Sequence, residues 1–263
     1  MHRYSLHRRK NTLFLFASVL VLVGSFCATL LSNVAAKSNS AQTSANQSIF
    51  PPADNVLGLF EFENDVKDSS GNGRDLTLIG GSIVSSRCSS GLKIEQTAVA
   101  GVEWNAYASL IEHPYTIEMV LTPEDTLHWR KLFSFDPNLD DGWYYYQNGI
   151  QAYPHEVFGS PDVRENQLHY IAFVSTSPST IDIYFQGQLI GSSDAAFTAP
   201  PSHAVFFQDD SAVPEENFSG IVEAMRISSV SRTPEEIAAV QERLNSTCGN
   251  NYQHQLFLPF VYS

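Results

Sequence analysis

Loop carboxylates and strand aromatics are the residues whose types and spacing suggest chemistry in this chain. Asp68-Ser69-Ser70-Gly71-Asn72-Gly73 offers a carboxylate, an amide oxygen and carbonyls exposed by glycine turns. Calcium takes roughly six to eight such oxygens, which makes Asp68 and Asn72 candidate ligands of a Ca2+ ion. The alternative for Asp68 is an Asx-type turn, with its carboxylate capping backbone amides. Alternation along Ile221 to Ile227 puts Glu223 on one face with Ile221, Met225 and Ile227. A carboxylate on an apolar face must be paired or metal-bound, so Glu223 either completes the site or pairs with Arg226 or another base. A second cluster, Asp209-Asp210 with Glu215-Glu216-Asn217, is a further set of candidate calcium ligands; its alternative is a solvated acidic loop. Asp136, Asn138, Asp140 and Asp141 resemble half of an EF-hand loop, without the required glycine and final glutamate.

Trp143-Tyr144-Tyr145-Tyr146 and Tyr153, near Trp129, could form a platform on which sugar rings stack. Trp143, Tyr144, Tyr146 and Tyr153 are the candidate ligand-binding residues. Side chains alternate along a strand, so either Trp143 with Tyr145 or Tyr144 with Tyr146 should point into the core, and both phases stay open. The case for catalysis is weak. The histidines are scattered, no H-E-x-x-H or G-x-S-x-G occurs, and Ser89-Ser90-Gly91 reads as a turn.

The elements that must carry these residues are mostly strands. Ile117, Met119 and Leu121 alternate in one run, and Ile181, Ile183 and Phe185 in another. Gly and Pro punctuate such runs, and Gln186-Gly187 reads as a tight hairpin. One helix is well marked from Pro234 to about Leu244. Thr233 is its N-cap, Pro234 its first residue, Glu236 the partner in a capping box, and Ile237, Val240 and Leu244 its apolar stripe.

The N-terminus reads as an address. Arg3, Arg8, Arg9 and Lys10 precede an apolar run from Thr12 to Leu31, then Val34-Ala35-Ala36. This is a secretory signal over residues 1–36, with an uncleaved anchor as the alternative. Phe26 before Cys27 is too large for a lipobox. Residues 37–55 read as a flexible linker, 56–248 as the domain and 249–263 as a tail. Cleavage leaves 11 basic against 28 acidic residues, a net of −17, which repels nucleic acid and anionic membrane surfaces. Cys88 and Cys248 then remain, and an oxidising compartment favours a disulfide between them.

Five stretches carry a resemblance. Leu57-Gly58-Leu59-Phe60-Glu61-Phe62-Glu63 followed by Asp68 to Gly73 is similar to the opening of bacterial laminin-G-like domains of the concanavalin A superfamily. Tyr115 to Pro123 resembles the family's central strand, with Val120 in place of a tryptophan. Asp182 to Leu189 resembles its hairpin, with Gln186 in place of an aspartate. Phe218 to Ile227 resembles the closing strand, and Thr233 to Ile237 the start of the terminal helix. The resemblance implies an all-β, two-sheet antiparallel jelly-roll sandwich with one short C-terminal helix. It aligns Glu223 with an acidic residue of the closing strand and implies that any metal is structural. The E-x-D-x-x-E strand of the superfamily's glycan hydrolases is absent. The expectation is a secreted or surface-retained, non-catalytic binding module for a glycan. The alternatives are an adhesion module for a protein or cell-surface polymer, and a glycan hydrolase or lyase.

Overall fold

The computed structural model describes residues 48–97, 100–136, 139–154, 156–158, 162–194, 200–209 and 214–249. The expected signal peptide, most of the linker, the tail beyond Gly249, Asn138 and Asp210 lie outside them.

Among the described residues the chain forms β1 (Val56–Phe60), β2 (Thr77–Gly80), β3 (Ser82–Ser86), β4 (Ser89–Ile94), β5 (Gly101–Glu103), β6 (Tyr115–Pro123), β7 (Arg130–Ser134) and β8 (Gly142–Tyr146). There follow β9 (Gly149–Tyr153), β10 (Glu156–Phe158), β11 (His169–Ser177), β12 (Thr180–Phe185), β13 (Gln188–Ser193), β14 (Val205–Phe206), β15 (Gly220–Ser228) and the helix α1 (Pro234–Thr247). Two antiparallel sheets result. The first runs β13-β12-β11-β6-β15-β4-β3, and β1 pairs with the C-terminal half of β15, end to end with β4. The second runs β10-β9-β8-β7-β14-β5-β2. Together they form the expected sandwich with a single C-terminal helix.

The period-two residues fill the space between the sheets. Ile117, Met119, Leu121, Ile181, Ile183 and Phe185 from the first sheet meet Val102, Phe133, Trp143, Tyr145, Ile150 and Phe206 from the second. Phe173 packs edge-on to Phe133 at 5.0 Å, with Trp143 at 4.8 Å, aromatic pairs worth about 0.5–1.5 kcal/mol each beyond area burial. Gln186 and Gly187 both take positive φ, 50° and 79°, in the two-residue hairpin between β12 and β13, where glycine carries no steric cost.

The outer face of the first sheet is covered. Ile237, Val240 and Leu244 of α1 pack there with Val120, Tyr170, Ala172 and Tyr184. The capping box forms as expected: Glu236 N donates to Thr233 Oγ1, and Thr233 N to Glu236 Oε2. The helix runs to Thr247, past the expected Leu244. Residues 48–55, expected as linker, also pack here. Ile49 and Phe50 are buried against the helix side, and Arg226 lies over the Phe50 ring and donates to Pro51 O. Two apolar side chains at the end of a polar stretch show no period, yet they find an apolar surface to cover. Cys88 and Cys248 form the expected disulfide, tying the β3–β4 turn to the end of α1.

Glu223 departs from its expected face. A bulge between Val222 and Ala224 breaks the alternation. Val222, Met225 and Ile227 point into the core, while Glu223 turns to the other side and accepts hydrogen bonds from Ser86 Oγ, Thr122 Oγ1 and Cys88 N. Burial raises its pKa against those bonds, which lower it. Arg226 pairs with Glu118 instead, at 2.6 and 2.9 Å, and Tyr170 donates to the same carboxylate.

Candidate functional site

No α-helix covers the outer face of the second sheet among the described residues, and the chemistry gathers there. The two-residue turn between β8 and β9 sets the phase. Gln147 and Asn148 both take positive φ, 49° and 58°, and the register then pairs Trp143 with Ala152, Tyr144 with Gln151 and Tyr145 with Ile150. Trp143 and Tyr145 therefore point inward. Trp143 is 3% exposed among Phe133, Phe158 and Phe173, so it is core and not a ligand platform. Tyr145 shares a hydrogen bond with the buried His169. Tyr144, Tyr146, Gln151 and Tyr153 take the opposite face.

Trp129, just before β7, completes an aromatic shelf. Its ring stacks on Tyr146 at 3.9 Å and 12°, and meets Tyr144 and Tyr153 edge-on, each at 5.3 Å. Backbone bonds hold the shelf. Gln147 N donates to Leu127 O and Asn148 N to Thr126 O, while Thr126 Oγ1 donates to Asn148 Oδ1. These dock the turn onto the segment leading into Trp129. Trp129, Tyr146 and Tyr153 are each partly exposed.

Tyr144 joins the shelf to a charged cluster. The Lys131 ammonium lies 4.2 Å from the centre of its ring. Lys131 also pairs with Asp209 Oδ1 at 2.8 Å, with the two side chains 1% and 0% exposed, and donates to Asp141 O. The Tyr144 hydroxyl donates to Asp209 Oδ1 at 3.1 Å and lies within 3.3 Å of Asp140 Oδ1. Burial and then the Asp209 charge push the Tyr144 phenol far above its ordinary range, so it stays a neutral donor. Asn217 sets the loop: its Oδ1 accepts from Asp209 N, and its Nδ2 donates to Thr97 O. A residue expected among candidate calcium oxygens thus aims Asp209 at Lys131.

The remaining carboxylates rim this pair. Glu216, in the short turn Pro214–Glu216, is pushed up to about 7 by burial, by the charge of Asp209 and a hydrogen bond to it, and by Asp140; Lys131 pulls it down. Glu216 is therefore part-protonated near neutral pH. Asp141 is raised by burial, against a 3.0 Å hydrogen bond from Ser134. Lys131 and Gln151 carried no motif in the sequence. Their signal was positional: each sits opposite Tyr144 once the register is known.

The residues present at Asp68 do not fit a calcium ion. Asp68 Oδ1 accepts from Leu59 N and Ser70 N, and Oδ2 from Arg74 N. Burial raises its pKa, but bonds from Ser70, Arg74 and Leu59 outweigh this and leave it below its ordinary value. Asn72 Nδ2 donates to Val56 O, and the Arg74 guanidinium to Leu57 O. Both Asp68 oxygens thus already accept from backbone donors, and the Arg74 guanidinium lies beside the loop, where a cation would meet like charge. Glu223 is engaged elsewhere, and among the described residues no group of three or more His, Cys, Asp or Glu converges as metal ligands. At Asp209 the cationic partner is Lys131.

The family model described as Laminin_G_3, concanavalin A-like lectin/glucanases superfamily, matches residues 97–238, more than half of the chain. No curated protein sequence matches. Among solved structures, the chain is similar to domain 4 of an extracellular arabinanase from Geobacillus stearothermophilus, in complex with arabinotriose. Identity is 18% and the TM-score 0.54, covering 71% of this chain and 98% of that one. It is also similar to the binding domain of Paraclostridial Mosquitocidal Protein 1, with 16% identity and a TM-score of 0.56 over 72% of this chain and 52% of that one. A third likeness is to botulinum neurotoxin type C, whose cell entry depends on interaction with two ganglioside molecules. There identity is 10% and the TM-score 0.54, over 73% and 51%. The chain thus spans about half the length of these toxin chains. At such identities the likeness is one of fold.

Proposed function

The chain belongs to the concanavalin A-like lectin/glucanases superfamily, and on that premise we propose that it is an exported, non-catalytic module that binds a carbohydrate on the outer face of its second sheet. The observation that carries this reading is the partly exposed Trp129–Tyr146–Tyr153 shelf, joined through Tyr144 to the Lys131–Asp209 cluster. Aromatic faces take the C–H faces of a sugar ring, and carboxylates beside them take its hydroxyls. Sites of this kind combine an apolar lining with a few placed polar groups.

A binding role suits the acid pair better than hydrolysis does. Glycosidases keep two carboxyl groups free on either side of the sugar, at least about 5 Å apart, whereas Asp209 is tied to Lys131 and Tyr144 and its charge raises the pKa of Glu216 beside it. The arabinanase domain with arabinotriose and the toxin dependent on gangliosides support a glycan as the ligand class. The N-terminal address and the Cys88–Cys248 disulfide support export, since disulfides persist in oxidising compartments. A structural calcium has no part in this proposal.

A glycan array with purified residues 48–249, run for the wild type and for Trp129→Ala, tests the reading. The expected result is binding to a restricted set of glycans by the wild type, lost in the variant while the melting profile stays cooperative. Equal binding by both, or none by the wild type, would refute the shelf as the site.

A further inference from the structure

We infer that the ligand of this face is an uncharged, hydroxyl-rich glycan, and that the carboxylates around Lys131 set this selectivity by rejecting sugars bearing carboxylate or sulfate groups. The inference rests on the proposed shelf and concerns the chemical class it accepts. Its first support is charge. Asp140 is exposed, Asp141 and Glu216 are partly exposed, and all three lie around the buried Lys131–Asp209 pair. The Lys131 charge faces inward, spent on Asp209 Oδ1 and Asp141 O beneath the Tyr144 ring. Near the shelf Arg130 is equally engaged, with Asp125, Gln96 Oε1 and Glu215 O. An arriving anion therefore meets uncompensated carboxylates, in a chain whose expected mature charge is already −17.

The second support is hydrogen-bonding sense, which is independent of net charge. Gln151 lies opposite Tyr144 on the same face and is 8% exposed, and its Oε1 is buried without a donor. Asp209, 5% exposed, has its Oδ2 buried with no hydrogen-bond partner. These are acceptors, as are the rim carboxylates when ionised. Beside the shelf, unpaired buried acceptors and ionised rim carboxylates favour a partner that donates. Sugar hydroxyls donate, whereas carboxylate and sulfate groups offer acceptors only. Leaving a buried acceptor unpaired is costly, so the mismatch discriminates even where salt screens the charge.

Paired probes test this. Linear oligosaccharides of arabinose, xylose, glucose and galactose are titrated at low salt beside oligogalacturonate and sulfated oligosaccharides of similar length. The best neutral chain should bind at least about tenfold tighter than any anionic one, a factor within reach of one like-charge contact near a protein surface. The gap should narrow in 0.5 M NaCl, where screening shortens to a few ångströms. Asp140→Asn with Glu216→Gln should narrow it at low salt, while Trp129→Ala should weaken neutral and anionic ligands alike. Anionic chains binding as tightly as neutral ones would overturn the inference and leave the shelf standing. A gap untouched by the Asp140 and Glu216 substitutions would overturn the role given to those carboxylates. Absence of binding to every probe would overturn the shelf reading as well.

Discussion

Replacing Lys131 with methionine removes the cation at the centre of the candidate site while keeping most of the side-chain volume. The Lys131–Asp209 pair is 2.8 Å long, and its side chains are 1% and 0% exposed. Removing one partner of such a pair costs about 3–5 kcal/mol, because the other charge is left buried. This is a large part of the roughly 5–15 kcal/mol that holds a domain folded. The cost should depend on pH. A carboxyl whose pKa is raised on folding contributes stability that is present below its unfolded value and lost as pH rises through its folded value. For Glu216 that window runs from 4.5 to about 7, and Lys131 is the group that lowers it. Without Lys131 the folded value climbs further, so the deficit should be largest above pH 8 and smaller near pH 5, where Glu216 is protonated. Urea denaturation of wild type and Lys131→Met at pH 5 and pH 8 reads this directly. The double variant Lys131→Met with Asp209→Asn should recover much of the loss. A deficit below about 1 kcal/mol at pH 8, or one equal at both pH values, would refute the buried pair as described.

Three further outcomes follow from other parts of the molecule. Cys88→Ser with Cys248→Ser should cost about 2–5 kcal/mol and leave glycan affinity unchanged, since the disulfide joins α1 to the first sheet; a loss of affinity without a loss of stability would contradict this. Thr233→Ala should cost about 1 kcal/mol in chemical denaturation, because it removes one half of an intact capping box; an unchanged midpoint would count against the cap. Asp68→Asn should lower the melting temperature by weakening three backbone bonds, and millimolar calcium should leave the wild type unmoved. A rise of several degrees with calcium, abolished in that variant, would restore a metal to this loop.

Much of the fold was legible because period and punctuation are local. Ile117, Met119 and Leu121 announce a buried strand face, and Thr233-Pro234 with Glu236 announces a helix start. What was not legible is phase. Trp143 to Tyr146 alternate whichever way the strand is turned, and only pairing with β9 decides that Trp143 is core and Tyr144 is not. Glu223 shows the same limit, since a single bulge in β15 moves it to the other side of the sheet. The Asp68 loop is oxygen-rich in sequence, but two of the donors that close it come from Leu59 and Arg74 outside the motif. Lys131, next to Arg130 ahead of two apolar residues, carries no pattern of its own. Its meaning comes from Asp209, 78 positions later, brought beside it through β14 and the Asn217 clamp.

The three tryptophans permit a direct test of where ligand binds. Trp104 and Trp143 are 1% and 3% exposed in the core, and Trp129 is partly exposed on the outer face of the second sheet. Their indole N–H groups should give three resolvable NMR signals, assigned by single Trp→Phe substitutions. On titration with the best neutral glycan, the Trp129 signal should move in step with binding while those of Trp104 and Trp143 stay in place. A bound glycan that leaves the Trp129 signal unmoved would contradict the claim that this face is the binding site.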